Sequence, residues 1–253
     1  MQGVTEFLPI SSSGHVVIVD TLLVAFHGQK TESTSDVNII LHAGTLLSIL
    51  VVYWRRIWRL LGEDRRVIPR LVVATLPVVA TGLVLHEFFK ETVLESPLVA
   101  GCFLPVTGLV LLWAARRPPA AGEYADLTYR QALVIGLFQA VAPLPGISRS
   151  GMTISGGLAV GLSREASATF AFLLAIPAIG GAVVLDLAKM LRDSSSHTPA
   201  GLLALGAAVS LAVGVVSLLW LIRWLKRGHL HHFAYWCIPA GLAVVAWQLL
   251  TGA

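Results

Sequence analysis

Six long apolar stretches constrain this chain more than any other feature of its sequence. An α-helix needs about 20 apolar residues to cross the hydrocarbon core of a bilayer, and each stretch is close to that length. Hydrophobic residues make up 56% of the chain and charged residues only 13%, which is far from the balance of a water-soluble domain. The sequence therefore predicts an all-α integral membrane protein with six transmembrane helices. The predicted spans are 37–54, 68–86, 97–115, 166–190, 200–222 and 232–251.

Two further segments, 2–26 and 129–163, are apolar but interrupted by proline and by runs of serine and glycine. Neither segment has the pattern of one continuous spanning helix, so each is predicted to form a re-entrant helical hairpin. Non-helical backbone at membrane depth is tolerated only where it is buried in protein or lines a wet cavity. We therefore expect the polar turns of the two segments to face each other.

The basic residues predict the orientation of the chain. Arginine and lysine cluster in the loops 55–70, 116–130 and 223–231, whereas the connections 87–96 and 191–199 are acidic or mixed. Short loops rich in arginine and lysine stay in the cytoplasm, which also explains the basic net charge without nucleic-acid binding. We therefore expect the three basic loops to be cytoplasmic and the first polar turn to open to the extracytoplasmic side.

An internal repeat relates the two polar turns. A shift of 137 residues places Gln139 on Gln2 and Arg149 on Ser12, so QAVAPLPGISRSG aligns with QGVTEFLPISSSG. Each half of the chain is predicted to cross the membrane three times, and an odd number of crossings inverts the second half relative to the first. Inverted repeats with a site between them are typical of transporters.

The repeat also predicts how the chain is divided. Residues 1–253 form a single membrane domain, with a first repeat of about 1–115 and a second of about 128–253. In the second repeat a helix over 128–142 leads into the polar turn. The first repeat has no such segment before its turn, which predicts that the first helix of its hairpin is missing.

The first polar turn carries an acid at membrane depth. Gln2 and Glu6 are four residues apart, so on a helix they share a face, and Pro9 is expected to end that helix. A carboxylate inside the membrane is costly and is usually retained for function. We expect Glu6 to bind a cation or to assist proton transfer.

A run of hydroxyl groups follows the acid. Ser11, Ser12 and Ser13 precede a helix that is expected to begin at His15. Hydroxyls and backbone N–H groups at a helix N-terminus form a site suited to phosphate. The alternative is that the serines only satisfy backbone groups in a broken membrane helix.

The second polar turn contributes an arginine. Arg149 lies in the sequence PGISRSG, and a guanidinium can bind phosphate oxygens through two parallel hydrogen bonds. Its alternative role is a structural salt bridge to Glu6. The residues that the two turns would offer to a bound phosphate are Gln2, Ser11, Ser13, Gly146, Ser148, Ser150 and Gly151.

Other polar residues in or near the spans are less informative. His42 could line the same cavity, but a lone histidine in a helix more often serves packing or hydrogen bonding. The histidines at 229, 231 and 232 lie in a basic loop without a nearby acid, which favours an interfacial face over a metal site. Cys102 and Cys237 lack the spacing of a redox or metal motif.

The two polar motifs resemble those of the undecaprenyl-diphosphate phosphatases, also called bacitracin-resistance proteins. Residues Gln2 to His15 match a motif of Glu or Gln, three residues, Glu and FLPxSSxGH, and residues Pro145 to Gly151 match PGxSRSG. The layout of the spans agrees over essentially the whole chain. Position 2 holds the Gln form of the first motif, which removes one carboxylate from any metal site.

The resemblance implies hydrolysis of undecaprenyl diphosphate to undecaprenyl phosphate and inorganic phosphate. This reaction recycles the lipid carrier of cell-wall synthesis and confers bacitracin resistance, with a divalent cation, Mg²⁺ or Ca²⁺, as cofactor and Glu6 as its ligand. It places the chain in the bacterial inner (plasma) membrane among membrane lipids, with a polyprenyl diphosphate as substrate, and a homodimer is a further expectation. The implied catalytic residues are Glu6, Ser12, His15 and Arg149, with Gln2 beside them.

Two chemical routes and one rival function stay open at this point. Ser12 could attack the phosphorus with His15 as base, which we favour, or His15 could attack directly and form a phosphohistidine. The rival is an inverted-repeat transporter or lipid-phosphate flippase. Release of phosphate by protein in detergent separates these functions, because a transporter needs two compartments and releases none.

Overall fold

The structure, a computed structural model, describes residues 1–27, 35–88, 96–193 and 199–251. This part of the chain is largely helical. The α-helices are α1 (Gln2–Thr5), α2 (Ser12–His27), α3 (Ser35–Leu61), α4 (Val67–Phe88), α5 (Pro97–Ala115), α6 (Tyr129–Ala140), α7 (Arg149–Ala159), α8 (Arg164–Asp193), α9 (Ala200–Lys226) and α10 (Ala234–Thr251). Two 3₁₀ turns cover Tyr124–Asp126 and His229–Phe233.

The six predicted spans are confirmed as helices that are long and apolar enough to cross a membrane. Each contains a suitable apolar window, and the prolines that the sequence places inside spans lie within helices that continue past them. The observed candidate spans are Val37–Leu61, Val67–Leu85, Pro97–Ala115, Arg164–Leu185, Gly201–Lys226 and His229–Leu250.

The first span is longer than the sequence indicates, and the basic loop after it is shorter. Helix α3 continues through the arginines to Leu61, and α4 begins at Val67, so the connecting turn covers only 62–66. Arginine can lay its methylene stem along an apolar helix while its guanidinium reaches the aqueous phase, so it need not end a membrane helix. The predicted outer connections 87–96 and 191–199 lie largely outside the described residues.

The long helices pack in pairs that small residues bring close together. Helix α10 packs along α5, α9 along α3, and α4 along α6. At Gly136 a Cβ would lie 2.6 Å from the Ala74 carbonyl oxygen, and at Gly44 it would lie 2.7 Å from the Ala207 oxygen. Such contacts let backbones approach in a solvent where the hydrophobic effect does not drive helix association.

The basic loops meet at one end of the bundle. The Tyr124 hydroxyl donates to Asp64 at 2.8 Å, which joins the turn 62–66 to the segment before α6. A cavity at the same end is lined by Arg117 from the second basic loop and by Gly228 from the third. The position of the three basic loops at one end of the bundle agrees with spans that cross the membrane in alternating directions.

The two interrupted segments each contain two helices joined by a polar turn. Helices α6 and α7, of 12 and 11 residues, are too short to cross a bilayer. That each segment enters and leaves the membrane on the same side stays a prediction, as does the division of the chain into inverted repeats.

The ends of these short helices differ from the sequence prediction. Helix α1 ends at Thr5, before the expected stop at Pro9, and α2 begins at Ser12 rather than at His15. Helix α6 ends at Ala140, because Pro143 disfavours helical backbone in the residue before it. These shifts leave Glu6 directly after α1, in helical backbone whose N–H still donates to the Gln2 carbonyl, and place the serines at the start of α2.

Single-cysteine labelling tests the orientation of the bundle. In a background with Cys102 and Cys237 replaced, Phe88→Cys should react with a membrane-impermeant thiol reagent in intact cells, and Glu63→Cys should react only after the cells are opened. Both positions are strongly exposed, so accessibility of the side chain is matched. The reverse labelling pattern would contradict the cytoplasmic location of the basic loops.

Candidate active site

The polar turns of the two interrupted segments lie against each other, as the sequence predicts. A Cβ added to Gly14 would lie 3.0 Å from both the nitrogen and the Cα of Gly146. The Ser150 hydroxyl is 3.4 Å from the carbonyl oxygen of Leu8. Backbone from residues more than 130 positions apart therefore meets in one site, and glycine is needed at the point of contact.

Each turn is closed by the same hydrogen bond. The backbone N–H of Gly14 donates to the Ser11 hydroxyl at 3.2 Å, and the N–H of Gly151 donates to the Ser148 hydroxyl at 3.1 Å. A serine hydroxyl that accepts from the third residue after it is a helix N-cap, so these bonds start α2 and α7. Ser11 adopts a left-handed φ of 68°, an uncommon backbone state for a residue with a side chain.

The other predicted phosphate-binding serines also bond within the turns. The Ser13 and Ser11 hydroxyls are 3.4 Å apart, and those of Ser150 and Ser148 are 3.2 Å apart. Of these four residues, only Ser13 is exposed. The geometry thus agrees with the backbone-satisfying alternative for Ser11 and Ser148, and phosphate binding by the serines stays a prediction.

Glu6 is the centre of the site. Its side chain is buried, with the residue 7% exposed, and its carboxylate accepts hydrogen bonds from three other functional candidates. The Gln2 amide donates to Oε2 at 3.0 Å, the Ser12 hydroxyl donates to Oε2 at 2.8 Å, and the Arg149 guanidinium pairs with Oε1. The shared helical face of Gln2 and Glu6 is confirmed.

The ion pair between Arg149 and Glu6 joins the two halves of the chain. Arg149 is the first residue of α7, which aims its guanidinium at the first turn. The salt bridge that the sequence left as an alternative is therefore present in this structure. Ser12 and Arg149 both lie within hydrogen-bonding distance of one carboxylate, as a shared site requires.

His42 belongs to this site, although the sequence favoured a packing or hydrogen-bonding role over a place in the cavity. Its Nδ1 lies 2.8 Å from the Asn38 carbonyl oxygen, which can only accept, so Nδ1 carries the proton. Its Nε2, 3.0 Å from the Gln2 amide nitrogen, then accepts from that amide. Gln2 thus connects His42 to Glu6, a contact between helices that no local pattern of the sequence indicates.

His15 contacts a residue that the sequence did not single out. Its Nδ1 donates to the Ser11 carbonyl at 2.8 Å, and its Nε2 accepts from the indole N–H of Trp236 at 2.9 Å. The two rings stack with centroids 6.1 Å apart. Both nitrogens of His15 are therefore engaged, and the hydroxyl of Ser12 is bonded to Glu6 instead.

A narrow cavity opens beside the ion pair. Its polar lining consists of Glu6, Arg149, Ser150 and Thr153. The apolar part of the lining is Phe7, Ile49, Ala171, Phe172, Ala175 and Ile179. Charged groups beside apolar side chains suit a molecule with a polar head and a hydrocarbon chain.

The site offers one carboxylate, that of Glu6, to a divalent cation. Within the described ranges, no group of three or more His, Cys, Asp or Glu side chains is placed to hold a metal ion. Mg²⁺ in proteins often uses one or two carboxylates and takes its other ligands from water and substrate phosphates. A single carboxylate such as that of Glu6 is compatible with a cation that takes its other ligands in this way, and the cation stays a prediction.

The ion pair predicts a non-additive effect on stability. Glu6→Gln should destabilise the protein by on the order of 2 kcal/mol, because it leaves the Arg149 guanidinium without its counter-charge. The expected cost is below that of a fully buried pair, since the Arg149 side chain is 26% exposed. Adding Arg149→Gln removes the uncompensated charge, so the double variant should regain part of the loss.

Thermal unfolding in detergent measures this effect. Arg116→Gln, at an exposed position in a basic loop, serves as the matched control and should be neutral. A double variant with the full sum of the two single losses would contradict a direct pairing.

Comparison with known proteins gives a consistent assignment. A family model described as Bacitracin resistance protein BacA matches residues 1–243. An undecaprenyl-diphosphatase of Rhodopirellula baltica is 56% identical over 250 residues, covering 98% of this chain and 95% of the relative. Relatives of the same name from Acidiphilium cryptum and a Psychrobacter species are 40% and 36% identical, and each alignment covers at least 92% of both chains. The chain belongs to the bacitracin resistance protein BacA family.

Proposed function

We propose that this protein hydrolyses undecaprenyl diphosphate to undecaprenyl phosphate and inorganic phosphate. The reaction recycles the lipid carrier of cell-wall synthesis and confers resistance to bacitracin. The observation that carries the proposal is the buried Glu6 carboxylate, which receives both the Ser12 hydroxyl and the Arg149 guanidinium. Membership of the BacA family and the names of the relatives support it.

The cavity beside the ion pair is suited to a polyprenyl diphosphate. Arg149 would bind the diphosphate oxygens, since a guanidinium offers paired donors that match phosphate geometry. The apolar walls would accept the first part of the prenyl chain, and the rest would lie among membrane lipids. Neutralising charge on the transferring phosphoryl group is the main catalytic task in such chemistry.

The geometry favours Ser12 as nucleophile and Glu6 as its base. The Ser12 oxygen would bond to the terminal phosphorus while the bridging P–O bond breaks, and undecaprenyl phosphate would leave. The hydroxyl proton would pass to Glu6, which already accepts that hydrogen bond at 2.8 Å. Water would then attack the phosphoserine and release inorganic phosphate.

His15 has a different environment from the one expected of a base for Ser12. Its two ring nitrogens bond to Ser11 and Trp236, so it would have to give up the Trp236 bond before it could take a proton. We propose that His15 orients the first turn through Ser11. Direct attack by His15 is the less favoured route for the same reason.

We also propose a divalent cation, Mg²⁺ or Ca²⁺, held by Glu6 and by the diphosphate itself. When bound, it would supply positive charge to the phosphate oxygens. Position 2 holds the Gln form of the motif, and its amide nitrogen donates to Glu6, so Glu6 is the one carboxylate that the first turn would offer to such a cation.

The location of the site is a further part of the proposal. We propose that the protein lies in the bacterial plasma membrane and that its site opens to the extracytoplasmic side, and the positive-inside rule applied to the basic loops supports this orientation. A homodimer stays a prediction.

Phosphate release from undecaprenyl diphosphate by the purified protein in detergent tests the function. Wild type with Mg²⁺ should release phosphate, EDTA should suppress the release, and Glu6→Gln should abolish it. Glu63→Gln is the matched control, because Glu63 is an exposed acid in a basic loop, and it should retain activity.

If folded wild-type protein released no phosphate under these conditions, the result would contradict the proposed function and favour a transporter or flippase. Activity that survives EDTA would contradict only the proposed need for a divalent cation. Near wild-type activity in Glu6→Gln would contradict the proposed role of Glu6.

Kinetics of Arg149 variants test the shared site. Arg149→Lys keeps the charge but loses the paired donors, so we expect a loss on the order of 2–4 kcal/mol in transition-state stabilisation. Arg149→Ala should be worse. Combining Arg149→Lys with Ser12→Ala should show strong non-additivity in kcat/KM, since residues that act on one phosphoryl group fail as a unit. Independent, additive losses would argue against one site built from both turns.

A further inference from the structure

Thr107 is a buried residue of α5 whose hydroxyl bonds to the second polar turn. The residue is 1% exposed and lies near the middle of its helix. The hydroxyl donates to the Gly146 carbonyl oxygen at 2.8 Å and accepts from the Ser148 backbone N–H at 3.1 Å. One side chain thus satisfies two backbone groups of the turn immediately before Arg149.

This use of a hydroxyl differs from the ordinary local bond of a helical threonine, and Thr81, which donates across to the Ala140 carbonyl oxygen at 2.7 Å, shares it. Thr75 and Thr21 donate to the carbonyl four residues earlier in their own helices, which is the ordinary local bond. Thr107 bonds across to another segment instead. Buried backbone N–H and C=O groups of a membrane protein need hydrogen-bond partners within the protein, because the surrounding lipid offers none.

The same helix also fixes the position of the turn by close packing. Gly146 has a left-handed φ of 89°, and a Cβ there would lie 2.3 Å from the Ala100 carbonyl oxygen. Gly14 of the first turn lies on the other side of Gly146. Helix α5, the second turn and the first turn are therefore stacked backbone on backbone.

We propose that Thr107 is the positioning residue of Arg149. Its hydroxyl holds the backbone from Gly146 to Ser148 against α5, so that α7 starts at the point from which the guanidinium of Arg149 reaches the bound diphosphate. The inference rests on the proposed function, in which Arg149 acts on the phosphoryl group. Thr107 lies outside both sequence motifs, and it touches the turn rather than the substrate.

Three variants separate positioning from general packing. Thr107→Val keeps the shape but has no donor or acceptor, and it should lower kcat by about ten- to a hundredfold, the size expected for a small misplacement of a catalytic group. Thr107→Ser keeps the hydroxyl and should retain nearly full activity. Thr75→Val removes an ordinary intrahelical bond and serves as the matched control, with activity unchanged.

A double-mutant cycle with Arg149→Lys is the decisive measurement. If Thr107 acts through Arg149, Thr107→Val should cost much less in the Arg149→Lys background than in wild type. A variant that merely folds less completely would lose the same factor in both backgrounds, and that result would overturn the inference. Full activity of Thr107→Val, or equal losses in Thr107→Ser and Thr107→Val, would overturn it as well.

A second variant and the wild-type assay distinguish failure of folding from failure of the proposed role of Thr107. If Thr107→Val does not fold, Thr107→Cys takes its place in the cycle, because a thiol has similar volume but forms only weak hydrogen bonds. The assay of the wild-type protein tests the proposed function independently of the double-mutant cycle. Absence of phosphate release by wild type would count against the proposed function, whereas an active wild type with additive variants would count against Thr107 alone.

Discussion

The pairing of Glu6 with Arg149 is the interaction on which the site depends. A carboxylate or a guanidinium alone at membrane depth is costly, whereas the pair carries no net charge. Each turn supplies one charged side chain of the pair, since the carboxylate comes from the first turn and the guanidinium from the second. Charge neutralisation therefore requires the two halves of the chain to meet.

Side chains satisfy several backbone groups at the meeting point of the two turns. Ser11 and Ser148 cap the helices that follow the turns, and Thr107 supplies both a donor and an acceptor to the second turn. The two halves are nevertheless unequal. Pro143 stands where the first half has Glu6, and the buried amide of Gln139 has no partner among the described residues. The chemistry is thus concentrated in the first turn.

The sequence predicted those features that depend on local pattern and on the cost of charge in a membrane. Apolar runs indicated the six spans, and spacing placed Gln2 beside Glu6. The contacts of His42, Trp236 and Thr107 could not be predicted, because each joins helices that are far apart in sequence and ordinary in composition. The serine-rich turn was ambiguous for a related reason, since a hydroxyl that caps a helix and one that binds phosphate have the same sequence pattern.

The free-state ion pair has a consequence for the proposed reaction. When a diphosphate binds, Arg149 must exchange at least part of its contact with Glu6 for phosphate oxygens. In the proposed reaction, the cation that arrives with the diphosphate would replace the positive charge that Glu6 loses in this exchange. One guanidinium would then contact the acid before the substrate binds and the diphosphate afterwards. The two turns therefore have to be held in register before the substrate arrives, because Arg149 comes from the second turn and Glu6 from the first.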